Sequence, residues 1–252
     1  MIVIPLQSGS NGNCVYVEAG NVRLLFDAGI SGAEAQRRLA ARGRDIRTVR
    51  ALIVSHDHGD HVRGAGVYHR RFGLPLYATR KTLAAAADIG PVQETRFFQA
   101  GGTLRFGHVR VRTIPTPHDG ADGVAFVIEA GDKRLGLLTD LGHVFDGLAE
   151  IVVSLDAAII ESNYDPEMLR NGPYPPFLQE RIAGPGGHIS NKESACLLDR
   201  CADGRMKWVC LAHLSETNNE PALALATHKR IQRGRLPLCV ASRYEASPVM
   251  AL

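Results

Sequence analysis

The sequence predicts an α/β protein made of two mixed β-sheets sandwiched between helices. Three observations carry that reading. Apolar runs of strand length recur along the chain and stop at turn residues. Two pairs of these runs are joined so tightly that only a hairpin fits, and segments of helical character fall between and after them. Hairpins demand antiparallel pairing, and interleaved helices demand sheets covered on their outer faces.

In chain order, "VYVEAG" and "VRLLFDAG" form the first hairpin, turning at Ala19 to Asn21. A helix is expected over Gly32–Arg42, then the strand "ALIVS", a helix around Val62–Phe72, the strand "LPLYAT" and a helix over Lys81–Asp88. "VRVRTIP" follows, then a second hairpin in which "GVAFVIEAG" and "RLGLLTD" turn at Gly131 to Lys133. Two later helices are expected over Ser190–Ala202 and Pro221–Gln232. No linker, repeat or low-complexity segment interrupts this order, so residues 1–252 are expected to form a single domain.

Composition narrows the function classes. Hydrophobic residues make up 45% of the chain, ample for a core, and a net charge of +3 with 22% charged residues excludes a polyanion-binding tail or a disordered charge block. The start "MIVIPLQSGS" has no basic leader and no window reaches membrane-spanning length, which predicts a soluble, cytoplasmic protein with no membrane partner. Five cysteines, odd in number and without a CxxC pair, read as free thiols in a reducing compartment. The arginine-rich "RRLAARGRDIRTVR" reads as an amphipathic helix running into a loop, with either a solvated face or a phosphate-contacting one.

The stretch "SHDHGDH", Ser55 to His61, is too polar and glycine-broken to continue the buried strand "ALIVS", so it is expected as a loop at the strand's end. His56 and His58 stand two apart in an extended segment, which points both rings the same way. Asp60 and His61 follow a turn at Gly59. Three imidazoles and a carboxylate converging on one spot suit a borderline-soft divalent ion. These are more donors than one ion needs, which suggests two ions and further donors from other strand ends. "TIPTPHDG" offers His118, "GLLTDLGH" offers Asp140 and "WVCLAHLS" offers His213, each a polar residue ending an apolar run.

The HxHxDH motif at His56–His61, followed in order by His118, Asp140 and His213, resembles the metallo-β-lactamase fold in its binuclear hydrolase branch. The resemblance implies a four-layer αββα sandwich. It also implies that His56, His58 and His118 hold one ion, Asp60, His61 and His213 the second, and Asp140 bridges them. Asp27, closing "RLLFDAG", matches the family's acidic residue that supports a ligand histidine, though a helix N-cap before "SGAEAQ" explains it as well. A histidine at position 58 disfavours the flavo-diiron branch, and Asp140 stands where the commonest β-lactamases carry cysteine. The interval from Asp140 to His213 is too short for the insert of β-CASP nucleases. "ESNYDPEML" and "GPGGHISNKES" resemble the tRNase Z type of phosphodiesterase, in which a strand-end Glu, here Glu161, supports a proton-donating histidine, here His188. The wording of "SGSNGNC", "ESNYDPEMLRNG", "GHISN" and "LAHLSETNN" is closer to the YycJ/WalJ group of bacterial metallo-hydrolases, which implies a 5′-to-3′ exonuclease acting on DNA. Ser55 stands where threonine is commoner in the superfamily, a swap with no expected consequence.

Two divalent ions, zinc first with manganese or iron as alternatives, would hold a bridging hydroxide as the nucleophile of phosphodiester hydrolysis. Asp60, Glu161 and His188 are therefore the expected catalytic residues, with His188 as the general acid for the leaving oxygen. Ser190 and Asn191, at the start of the helix after "GHISN", could hold a phosphate oxygen or simply cap that helix. Asn11 and Asn13 in "SGSNGNC" read equally as substrate contacts or as turn residues. His143 is expected at a helix start or beside the ligands, and His69, His108 and His228 in polar contexts without function. With aromatics at 6%, base stacking is not expected, and grip on DNA would fall to arginines such as Arg63, Arg70, Arg71 and Arg80, with strong salt dependence. The alternatives are a small-molecule hydrolase acting on a thioester, lactone or cyclic phosphodiester, and a metal-binding regulatory protein without turnover. Nothing in the sequence sets the oligomeric state.

Overall fold

The computed structural model describes residues 1–87, 89–201 and 205–252. It contains two seven-stranded mixed sheets. The first has the order β14-β1-β2-β3-β4-β5-β6, with β1 at Ile2–Gln7, β2 at Cys14–Ala19, β3 at Val22–Phe26, β4 at Ala51–Ile53, β5 at Leu76–Ala78, β6 at Thr95–Phe97 and β14 at Met250–Ala251. The second runs β13-β12-β11-β10-β9-β8-β7, with β7 at Thr103–Phe106, β8 at Val109–Pro115, β9 at Val124–Ala130, β10 at Lys133–Leu138, β11 at Ala157–Glu161, β12 at Trp208–Ala212 and β13 at Leu238–Val240. Helices α1 (Gly32–Ala40), α2 (Gly59–Val62), α3 (Ala65–Phe72), α4 (Arg80–Ala85), α5 (Leu148–Val153), α6 (Pro166–Asn171), α7 (Pro176–Ala183), α8 (Asn191–Cys201) and α9 (Pro221–Gln232) connect them.

The chain divides into two compact units. One comprises Met1–Pro115, Gly120–Val124 and Ala241–Leu252; the other comprises Thr116–Asp119 and Ala125–Val240. In the first unit, β1 to β3 pair antiparallel and β3 to β6 parallel. The period-2 geometry of a strand puts Ile4, Leu6, Tyr16, Leu25, Leu52 and Leu76 on one face, where they pack with Ala35 and Leu39 of α1 and Tyr68 and Phe72 of α3. Val3, Val17, Leu24, Phe26 and Ile53, of opposite parity, are buried as well, so both faces of this sheet are covered. Each fully buried aliphatic side chain contributes on the order of 1.5 to 3 kcal/mol. In the second unit, β9 and β10 form the expected hairpin, with Ala130 opposite Lys133. The strands β10 to β13 then run parallel; β11 is buried along its whole length and β12 from Val209 on, while β13 at the edge is half-buried.

Several boundaries differ from the sequence reading. The helix expected over Val62–Phe72 is two helices, because the N–H of Gly64 goes to the carbonyl of Ala28 (2.8 Å) and breaks the run between α2 and α3. The second half of the HxHxDH motif is therefore helical. Expected helix ends at Asp88 and Ala202 lie outside the described residues. Within the arginine-rich stretch, Arg37, Arg47 and Arg50 are exposed, as a solvated face expects, whereas three other arginines are taken up by the fold. Arg38 donates to the carbonyls of Leu6 (2.6 Å) and Tyr244 (2.7 Å), Arg42 to that of Ala246 (2.6 Å) and Arg44 to Glu18 (3.0 Å), so they tie the C-terminal segment to this unit. Among the described residues, no helix is long and apolar enough to cross a membrane.

Candidate metal centre

The candidate residues lie at strand ends, or in the turn and short helix just past them, in both units. In the first, β4 ends at Ile53 and delivers Ser55, His56 and His58; α2 then turns His61 back so that its ring lies 4.2 Å from that of His56, while His58 lies 4.6 Å from His56 on the other side. Asp60 Oδ2 is 3.5 Å from His61 Nε2. Asp27, one residue past β3, is one of five non-glycine residues with positive φ among the described residues, at 62°. That conformation costs on the order of 1 to 3 kcal/mol and persists where the surroundings over-determine it. They do so here: Asp27 Oδ1 accepts the N–H of Ser55 (2.7 Å), and Oδ2 accepts from Ser55 Oγ (3.0 Å) and lies 2.8 Å from His61 Nδ1. Asp27 thus holds a histidine, and Ser31 caps α1 in its place.

Ser55 is the residue whose importance the sequence reading missed. Its hydroxyl donates to Asp27, which leaves a lone pair facing His56 Nδ1 at 2.9 Å. That contact assigns the proton to Nδ1 of His56, and the Asp27 contact assigns it to Nδ1 of His61. Each ring keeps Nε2 as its ligating nitrogen, the arrangement in which metal-binding histidines are ordinarily held. Asn13 is buried; its amide nitrogen lies 2.9 Å from His61 Nε2 and 3.2 Å from Asp60 Oδ2, and its oxygen accepts the N–H of Gly9 (2.9 Å). Asn11 is half-buried, with its side chain against Arg243. Gly29 is where this loop packs on the motif. A Cβ there would sit 1.6 Å from the carbonyl oxygen of Asp60. Gly29→Ala is expected to push α2 away and lower stability by about 3 kcal/mol or more, read as a drop in Tm and as loss of metal binding in the folded fraction.

In the second unit, His118 follows β8, Asp140 follows β10, Glu161 closes β11 and His213 follows β12. Asp140 and His213 share the left-handed backbone seen at Asp27, with φ of 56° and 55°. Asp140 Oδ1 lies 3.7 Å from His118 Nε2, 3.5 Å from His213 Nδ1 and 3.9 Å from His188 Nδ1. Asp140, Glu161, His188 and His213 each offer one ligand atom within 4.8 Å of the others. His118 Nδ1 donates to the carbonyl of Gly187 (2.7 Å), which again leaves Nε2 for a ligand. Asn163 donates its amide to the His213 carbonyl (2.7 Å).

Glu161 is fully buried. Oε1 lies 2.6 Å from His188 Nδ1 and 3.4 Å from His213 Nδ1, while Oε2 accepts the N–H groups of Leu141 (3.0 Å) and Ile189 (3.4 Å). Burial alone would push its carboxyl up. The facing charge of His188, with hydrogen bonds from His188 and His213, outweighs that and holds it well below the usual carboxylate range. The donor set of both units, imidazole nitrogens with carboxylates and no thiolate, fits a divalent ion.

Other expectations resolve differently. Ser190 and Glu193 form a capping box: the N–H and hydroxyl of Ser190 donate to Glu193 Oε2 (2.8 and 2.7 Å), and Ser190 Oγ accepts the N–H of Glu193 (3.2 Å). Asn191 is buried, and its amide is exchanged with Ser162 and Asn219. Neither side chain is presented as a phosphate contact. His143 is exposed and donates to the Pro185 carbonyl (2.7 Å). His228 has polar partners in Ser162 and Gln232 but is fully buried, and burial lowers its pKa to about 4. The arginines expected to grip DNA are committed elsewhere. Arg63 donates to the carbonyls of Gly29 (2.7 Å) and Asn11, Arg70 to those of Ile89 and Pro91, and Arg71 to Gln36, while Arg80 lies over the ring of Phe97.

The sequence model of the Metallo-beta-lactamase superfamily matches residues 8–193. The chain belongs to that superfamily. Its curated relatives include Exodeoxyribonuclease WalJ of Streptococcus pneumoniae serotype 2, 37% identical over 88% of this chain and 84% of that protein. Exodeoxyribonuclease YycJ of Bacillus anthracis is 36% identical over 87% and 84%. Among solved structures, zinc-bound PqqB from Methylobacterium extorquens superposes with a TM-score of 0.73 at 22% identity over the whole of both chains. The short form of human tRNase Z superposes with a TM-score of 0.66 at 15% identity, again over both whole chains. At those identities the structural likeness speaks for the fold, and it matches the two helix-flanked mixed sheets described above. Within that fold, this chain places Asp140 and His213 just past strand ends and Asp60 and His61 in the short helix after β4.

Proposed function

We propose that this protein is a metal-dependent exodeoxyribonuclease that hydrolyses DNA from the 5′ end. The observation that carries the proposal is the 2.6 Å contact between His188 and a buried Glu161 inside a cluster of metal-ligand side chains. His188 stands outside the seven donors assigned to the ions below, so its carboxylate-held ring is left for proton transfer. The names of WalJ and YycJ support DNA as the substrate.

The seven donors would serve two divalent ions, zinc first and manganese or iron as alternatives: His56, His58 and His118 for one, Asp60, His61 and His213 for the other, Asp140 for both. Bound ions supply the acidity that makes water nucleophilic at neutral pH and the charge that neutralises a phosphate. The chain's own work is then to orient and to move a proton. Asp27 and Ser55 fix the tautomers of His61 and His56. Glu161 holds Nδ1–H of His188, so the protonated ring would give up its Nε2 proton to the leaving oxygen and return to the neutral Nδ1–H form. Five free cysteines support a reducing, cytoplasmic setting.

The test is hydrolysis of 5′-labelled and internally labelled DNA duplexes by the purified protein with Zn²⁺ or Mn²⁺. The expected result is release of labelled mononucleotides from the 5′ end, abolished by chelation and by Asp60→Ala. Metal-loaded protein that cuts no DNA, yet turns over a thioester, lactone or cyclic nucleotide, overturns the proposal in favour of a small-molecule hydrolase.

A further inference from the structure

Arg170, Lys192 and Arg230 line a cavity of about 450 Å³ in the second unit, formed by the start of α6, the start of α8 and one face of α9, with Leu223, Ala226 and Thr227 in its wall. Among the described residues, none of the three cations makes an ion pair or a side-chain hydrogen bond. This sets them apart from Arg38, Arg42, Arg44, Arg63 and Arg70, whose guanidiniums are consumed by the fold. Two carboxylates also line the cavity. Asp165 Oδ1 accepts the N–H groups of Glu167 and Met168 (both 3.0 Å) as the cap of α6, and Glu167 is exposed. The remaining balance is one positive charge, carried on three long side chains.

The position of Lys192 is the second argument. It stands in the first turn of α8, where the helix dipole disfavours a cation. A residue that breaks a local rule without a compensating contact in the fold points to a ligand. The third argument is position along the chain. Asp165 is two residues beyond Asn163, which holds His213, and the N–H of Asn191 donates to the carbonyl of Tyr164 (2.8 Å), so α6 and α8 leave from the same point. Lys192 is four residues from His188, so their Cα atoms lie within about 14 Å. At about 3.4 Å of axial rise per phosphate, a strand covers that span in roughly four nucleotides.

We propose that this cavity is a phosphate-binding subsite for the backbone of the DNA strand being degraded, engaged by nucleotides a few positions from the cleaved bond. It rests on the exonuclease reading for the identity of the strand. The subsite would supply length-dependent affinity and processive hold, which the arginines committed to the fold do not.

The test compares wild type with Arg170→Gln/Lys192→Gln/Arg230→Gln, and with Arg170→Lys/Arg230→Lys as the charge-preserving control. Binding of fluorescein-labelled single-stranded DNA of two to twelve nucleotides is followed by anisotropy across a salt series, and cleavage is measured in parallel. The triple variant is expected to bind the twelve-mer about tenfold or more weakly and to show a log K against log[salt] slope shallower by about 2, since each neutralised phosphate on a single strand contributes about 0.7. Its affinity for the dinucleotide and its hydrolysis of bis(p-nitrophenyl) phosphate are expected to match wild type, and the lysine variant is expected to behave as wild type throughout. An unchanged twelve-mer affinity and salt slope overturn the subsite, as does an equal loss for the dinucleotide or wild-type protein that binds no strand. Wild type that binds DNA through these cations yet cuts none overturns the exonuclease reading and leaves the subsite standing.

Discussion

Replacing His188 by alanine is expected to lower kcat on DNA by about 100- to 10,000-fold with metal content at the wild-type value, while Tm falls because the buried Glu161 carboxylate loses its charged partner. The size follows from the task. A sugar alkoxide departs poorly without a proton, and His188 is the histidine in this cluster whose Nδ1 is taken by a buried carboxylate at 2.6 Å. Its ring is partly exposed, with 18% of the side chain accessible against 0% for Glu161, so it reaches solvent while its carboxylate partner does not. Two further readouts separate proton donation from a structural role. Hydrolysis of an aryl phosphodiester, whose leaving group departs without a proton, should fall far less than hydrolysis of DNA. The alkaline limb of the pH–rate profile, which reports the acid, should disappear. Equal losses on both substrates together with loss of metal would show that His188 is a ligand instead. Glu161→Gln should fall between wild type and His188→Ala, because the amide keeps an acceptor for the Leu141 N–H but no longer opposes a charged ring.

What the sequence made legible and what it concealed divide along physical lines. Asp140, Glu161 and His213 are polar residues that end apolar runs at strand ends, and that contrast survives without any knowledge of the fold: "LLTD", "AIIE" and "CLAH" announce them in turn. The helices that escaped notice lack such contrast. α5, "LAEIVV", has a β-branched end that reads as strand. α7, "PFLQERIA", has no buried residue, so no apolar stripe marks it, and β6 is largely exposed at the edge of its sheet. Ser55 was invisible for another reason. Its role lies entirely in one hydroxyl placed among Asp27, His56 and His61, residues that sequence distance does not bring together. Asn191 misled in the opposite direction, since a polar residue at a helix start next to "GHIS" reads as a ligand contact, whereas its buried amide belongs to the Ser162 and Asn219 network. Convergence, too, was illegible: Arg170, Lys192 and Arg230 come from three separate helices, and sequence distance gives no sign that they line one cavity.

The same logic of tautomer control makes Asp27→Asn the sharpest test of the first unit's metal ligands. Asp27 presents two acceptor oxygens to three donors: the N–H of Ser55, the hydroxyl of Ser55 and Nδ1–H of His61. Asparagine keeps the shape and, like aspartate, tolerates the left-handed backbone at φ 62°, so strain does not confuse the outcome. With its single oxygen on the Ser55 N–H, its amide NH₂ faces His61 Nδ1 and can be accepted there only if that nitrogen is unprotonated. The proton then moves to Nε2, the nitrogen a metal needs. Metal affinity is therefore expected to fall about 10- to 100-fold, measured by competition with a chromophoric chelator, with a stability loss of about 1 to 3 kcal/mol from the weakened acceptor. Activity should return at high metal concentration, because the ligands themselves are intact. Unchanged affinity would mean that Asp27 serves only to hold Ser55 at the end of β4, and that His61 is oriented by α2 alone.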